Sequence, residues 1–136
     1  MLNKFLSYLK IIFYIANFVL ILLYIFPGSI LGWFLYGNAR LQPQITSDFL
    51  VSSNHVYAFV LISILGYMSY ENEKLKYIFI YLLFLSIFLE TLHLIIPNRG
   101  FEFSDLFGNM FGVLLIYSYC KIYTYFFKKL NDKKKL

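Results

Sequence analysis

Six side chains in this sequence have the chemistry to hold or transform a ligand: His55, Glu90, His93, Arg99, Asp105 and Asn109. Glu90 and His93 stand three residues apart and would share one face of a helix. Asp105, Asn109 and Gly112 follow i, i+4, i+7 along another. A carboxylate or an imidazole so placed suits general-base attack on a phosphoester or amide. Arg99 beside a helix N-terminus at Asp105 suits an anion, because the guanidinium offers bidentate donors and the first helical turn a positive dipole end. Arg40 would assist from a long loop. Glu90 and Asp105 weigh against a plain anion site, and fit better if one stays protonated or orients the arginine. His55 and His93, from neighbouring helices, form a pair able to ligate iron axially.

Several of these readings lose ground on the sequence itself. The chain has no Gly-x-Ser-x-Gly elbow, no His-Glu-x-x-His helix and no phosphate-cradling glycine loop, which disfavours an enzyme of a familiar type. A buried histidine pair more often serves hydrogen bonding than metal, so neither a metal nor another cofactor is expected. Cys120, the single cysteine, has no partner for a disulfide or a zinc site and reads as a packing residue. Two readings of the six residues stay open: an outward-facing pocket for an anionic head group, and a polar network that only clamps helices together.

The elements that must position these residues are set by composition. Of 136 residues, 60% are hydrophobic and only 14% charged, more apolar surface than a soluble domain of this size can hide. A bilayer removes that difficulty because lipid tails solvate Leu, Ile and Phe directly. The sequence therefore predicts a single all-α integral membrane domain over residues 1–136, a bundle of four transmembrane helices at about 9–27, 50–70, 76–96 and 105–127. After Pro27 and Gly28, Ile30 to Tyr36 is too short to cross and is expected to extend a kinked first span or to lie at the interface, where Trp33 and Tyr36 suit. Gly37 to Ser53 is the longest loop. Ser47, Asp48, Ser52, Ser53 and Asn54 are candidate caps for the second span, Pro97 is expected to terminate the third, and Ser104 or Asp105 to cap the fourth.

Four spans put the amino end, the loop at Lys74 and Lys76 and the carboxyl tail on one side. That side carries ten lysines against Arg40 and Arg99 opposite, so the positive-inside rule places both termini in the cytoplasm. The lysines flank apolar runs, which argues for topology and against nucleic acid as the partner of a chain with net charge +5. The tail from Lys128 to Lys135 would also meet anionic lipid. The same topology gathers His55, Glu90, His93, Asp105 and Asn109 near one membrane face, with Arg99 joining from a turn. Gly108 and Gly112 make a small-xxx-small pair that would let the fourth helix approach a neighbour closely.

The ordered set Glu90-Thr-Leu-His93, Pro97-Asn-Arg99-Gly100, Ser104-Asp105, Asn109 and Gly112 resembles the signature of the VanZ-like membrane protein family, and the resemblance covers nearly the whole chain. His55 fits the histidine that opens the preceding span in that family, while Val51 and Ser52 stand where the family tends to carry an Asp-Lys pair. Glutamine often stands where this chain has His93. The resemblance implies a multi-pass cell-envelope protein related to one that gives low-level resistance to the glycopeptide teicoplanin. Its expected partners are membrane lipids, with an anionic lipid head group or lipid-linked envelope precursor as ligand. A membrane enzyme acting on such a precursor, or a purely structural or interaction protein, is the alternative.

Overall fold

A computed structural model of the chain describes the backbone of residues 2–133 and all of their side chains except those of residues 2, 3, 72 and 128–133. The lipid contact expected of the lysine tail falls outside the described residues. Five helices follow in order: α1 (Leu2–Ile25), α2 (Ile30–Tyr36), α3 (Ser53–Ser69), α4 (Asn72–Leu92) and α5 (Phe103–Lys133). No strand occurs among the described residues.

Three helices are long and apolar enough to cross a membrane, over Lys4–Ile25 (22 residues), Glu73–Leu92 (20 residues) and Phe103–Phe127 (25 residues). Their outward faces expose Phe18, Leu22, Ile80, Phe84, Phe111 and Leu115. In water such a surface would drive association, whereas a bilayer solvates it. The shorter α3, of 17 residues, packs against α1, α4 and α5, and its buried His55, Phe59, Ile62, Gly66 and Ser69 recur at helical spacing. The core around it holds Phe13, Phe59, Leu82, Leu89 and Val113, with Cys120 buried as a packing residue.

Two glycines set how closely α5 lies on α3. A Cβ at Gly108 would stand 2.8 Å from the Ser52 carbonyl oxygen, and one at Gly112 2.7 Å from that of Val56 and 3.0 Å from the Val60 nitrogen. Backbone meets backbone at both, as the small-xxx-small spacing predicts. Neighbouring helices run in opposite directions: Lys10 Nζ in the first half of α1 sits 5.5 Å from the centre of the Tyr70 ring just beyond α3, and the Tyr70 hydroxyl donates to Tyr14. The last turns of α1 and α4 and the first turns of α3 and α5 consequently meet at the other end.

Several boundaries differ from those read in the sequence, each for a local reason. Residues 30–36 form a separate helix, begun by the Ser29 hydroxyl accepting from the Gly32 N–H and ended by Gly37 at φ 64°. The regular part of α4 ends at Leu92, five residues before Pro97; the proline ring would clash with the His93 carbonyl, and Ile95 and Ile96 both turn back to the Leu92 carbonyl instead. Helix α5 starts at Phe103, ahead of the expected caps: Leu106 N donates to the Glu102 carbonyl, so Ser104 and Asp105 lie within its first turn. At α3, Ser52 occupies the N-cap without a side-chain bond, and Asp48 Oδ1 accepts from the Ser53 N–H in its place.

Candidate functional site

The convergence of four helix ends builds a buried polar cluster. Glu90, in the last turn of α4, is fully buried, with Asn109 on α5 likewise and His55, His93 and Tyr24 nearly so. Two antiparallel helix pairs bring their polar turns to one level, so residues far apart in sequence become neighbours.

At the centre stands Tyr24, from the last turn of α1. Its hydroxyl donates to Asn109 Oδ1 at 2.6 Å and lies 2.9 Å from His55 Nδ1, which is itself 3.0 Å from Asn109 Oδ1. His55 Nε2 faces Asp105 Oδ2 at 3.3 Å. The Tyr24 ring stacks on His93 with centroids 5.6 Å apart and meets His55 edge-on at 5.4 Å. His93 is held by Nε2 against the Tyr24 carbonyl, at 3.1 Å, and by Nδ1 against Glu90 Oε1, at 3.3 Å. With both ring nitrogens engaged and a tyrosine beside both rings, His93 and His55 are not arranged to ligate one metal axially.

Glu90 Oε1 also accepts from the Glu102 N–H at 3.2 Å, tying the end of α4 to the entry of α5. Its other oxygen, Oε2, has no hydrogen-bond partner and lies 4.0 Å from His55 Nδ1; Asn109 Nδ2 is buried without a partner as well. Of the three partners the sequence offers Glu90, namely His55, His93 and Arg99, the two histidines stand beside it and Arg99 lies elsewhere. Its Nη2 and Nε donate to the Leu23 and Phe26 carbonyls at 2.8 and 3.3 Å, closing the C-terminal end of α1, where unpaired carbonyls favour a cation. Every close contact between a basic side chain and a carboxylate among the described residues involves a histidine. Burial draws the Arg99 guanidinium below its ordinary pKa, and the nearby Tyr24, Glu90 and Asp105 oppose that shift.

Two cavities open beside the cluster. An apolar one of about 450 Å³ runs between α1, α2 and α3, lined by Leu20, Leu23, Ile30, Leu31, Leu35, Ala58 and Leu61, with Tyr24, His55, His93 and Arg99 at its polar margin. A polar one of about 160 Å³ is lined by Ser29, Arg40, Gln42, Asn98, Arg99, Glu102 and Asp105 among others. Ser29, Gln42, His93 and Arg99 line both, so the cavities adjoin.

Compared with known proteins, the chain matches no family model, no curated protein and no solved structure. The chemistry of the site therefore rests on its own geometry.

That geometry joins His55, Glu90, His93, Asp105 and Asn109 in one network and sets Arg99 at its rim. Sequence reasoning missed Tyr24, which contacts His55, His93 and Asn109 of the six. The signal was present: a tyrosine in the last turn of the first span reaches the same membrane level as His55 and Asn109. It also missed the α2 hairpin as a cavity wall, because α2 turns back to Leu41 and Ala39 through backbone contacts at Gly32 and Gly28 that leave no periodic trace.

Proposed function

We propose that this chain is a VanZ-like, four-span protein of the bacterial inner membrane that binds an amphiphile with an anionic head group at the outer end of its bundle. One observation carries the reading: an apolar cavity adjoins a polar one that holds both arginines of the chain. The apolar space suits an acyl or isoprenoid chain, and the polar space a phosphate-type head group held by Arg99 and Arg40. A phospholipid and a lipid-linked envelope precursor share that chemistry. In this reading α3 is the fourth span, shorter than its neighbours and shielded by them, and the lysines place both termini in the cytoplasm.

The test is the lipid retained on purified protein, measured by mass spectrometry of the intact complex. Wild type is expected to carry a phosphate-bearing amphiphile enriched over its abundance in the membrane, and Arg40→Gln and Arg99→Gln to lose most of it. Retained lipid that mirrors the bulk membrane in all three proteins contradicts the reading. Carboxyl-terminal reporter fusions test the topology: an alkaline phosphatase fusion should be inactive, and activity would overturn the orientation.

A further inference from the structure

We infer that His55, Glu90 and Asp105 form a binding site for one divalent transition-metal ion of the zinc or manganese class. The inference stands on side chains beside the two cavities and does not depend on what those cavities hold.

A donor atom from each of the three residues lies within 4.8 Å of the other two. Ligands of a tetrahedral zinc ion at about 2.0–2.1 Å stand about 3.3 Å apart, so side-chain shifts of roughly 1 Å would complete the coordination. One imidazole with two carboxylates is a donor set that zinc and manganese accept, while magnesium and calcium prefer oxygen alone.

Two independent features show that positive charge is wanted there. The first is the proton order around His55. With the Asn109 amide oxygen facing Tyr24, the single hydroxyl proton goes to Asn109 Oδ1, so Tyr24 accepts from His55, whose Nδ1 then carries the hydrogen. In neutral His55, Nε2 then presents a lone pair to Asp105 Oδ2 at 3.3 Å, acceptor against acceptor. The second feature is Glu90 Oε2, fully buried and unpaired, beside the same imidazole. Neither arginine comes within 4.0 Å of Glu90 or Asp105, so among the described residues no arginine or lysine pairs with either carboxylate. An ion held among His55, Asp105 and Glu90 answers both features. Tyr24 and Asn109 would hold the imidazole by its other nitrogen, the usual outer support of a metal-bound histidine. Three protein ligands also leave coordination positions open.

The rival state is an imidazolium at His55 paired with Asp105, and equilibrium dialysis followed by elemental analysis separates the two. Chelator-stripped protein in detergent should rebind about one zinc or manganese ion per chain. His55→Gln and Asp105→Asn should each weaken binding at least tenfold, and Asp48→Asn, at an exposed carboxylate in the long loop, should leave it unchanged. Wild type that takes up no more ion than the His55→Gln/Asp105→Asn double variant overturns the site. Should the variants fail to fold, wild type decides alone: manganese-loaded protein is expected to give an electron-spin-echo modulation from a single imidazole nitrogen, and its absence overturns the site equally.

Discussion

Through the middle of the bundle and towards its lysine-bearing end, small polar side chains are settled within their own helices, whereas at the other end polar side chains reach across helices and still leave atoms unpaired. Asn17 donates to Phe13, Ser69 to Leu65, Ser86 to Leu83 and Thr124 to Cys120, each to a carbonyl three or four residues back. The bonds that do cross there, Tyr70 to Tyr14 and Tyr81 to Asn17, join neutral groups. At the opposite end Tyr24, His55, Glu90, His93 and Asn109 bond between α1, α3, α4 and α5, yet Glu90 Oε2 and Asn109 Nδ2 remain without partners. Ser63 Oγ, in the middle of α3, is the exception within the first region and the one other unpaired buried side-chain atom among those described. Side chains chosen only to hold helices together would resemble the first region, since an unpaired polar atom in a dry interior costs several kcal/mol. The contrast supports the proposal of a ligand site in the second region.

The largest expected effect tests what holds that region in place. Gly112→Leu forces the α5 backbone away from Val56 and Val60 of α3, and the unfolding midpoint in detergent should fall by 10 °C or more, a loss of several kcal/mol. Gly66→Leu should cost less, because a side chain there meets the Ile78 Cγ2 methyl and the edge of the Phe13 ring, side-chain atoms that can repack where backbone cannot. Equal losses would remove the special closeness of α3 and α5.

Arg99→Gln comes next. It takes a cation from the C-terminal carbonyls of α1 and should lower stability by about 1 kcal/mol, while Lys121→Gln, at an exposed lysine over the half-buried Tyr117 ring in the second half of α5, should change it by less than about 0.5 kcal/mol. Arg99 is one of three partners the sequence offers Glu90, beside His55 and His93, and the geometry gives its donors to α1, so Glu90→Gln and Arg99→Gln should combine almost additively. A coupling above about 1 kcal/mol would restore the direct pair.

The smallest stability effect separates two tyrosines. Tyr24→Phe and Tyr70→Phe each delete one hydroxyl that bonds across helices and should lower stability by about 0.6 kcal/mol. Only Tyr24→Phe should also weaken ligand or ion binding, since it frees the His55 ring. A matching binding loss in Tyr70→Phe would make the two ends equivalent.

Much of this contrast is written in the sequence. The apolar runs announce long membrane-suited helices, and the i, i+3 and i, i+4 spacings put Glu90 with His93 and Asp105 with Asn109 before any coordinates. What the sequence hides is contact between distant turns. The partnership of Tyr24 with Asn109 depends on α1 and α5 ending and starting at one level, and the bonds of Arg99 to Leu23 and Phe26 depend on which way a short turn folds. The early end of α4 reflects crowding by Pro97 on a carbonyl four residues before it, an effect spread over a full turn. The cavities arise from α2 folding back, set by close backbone contacts rather than by side-chain pattern.

The account turns on whether Glu90 is kept for binding or for holding helices, and the unfolding midpoint of Glu90→Gln beside wild type, both metal-free and delipidated, tests this directly. The amide oxygen can still accept from the Glu102 N–H, while the unpaired carboxylate oxygen and its charge are gone. A binding site held at the expense of stability predicts a midpoint equal to or above that of wild type. A fall of several degrees would contradict it and leave the polar end a clamp between helices.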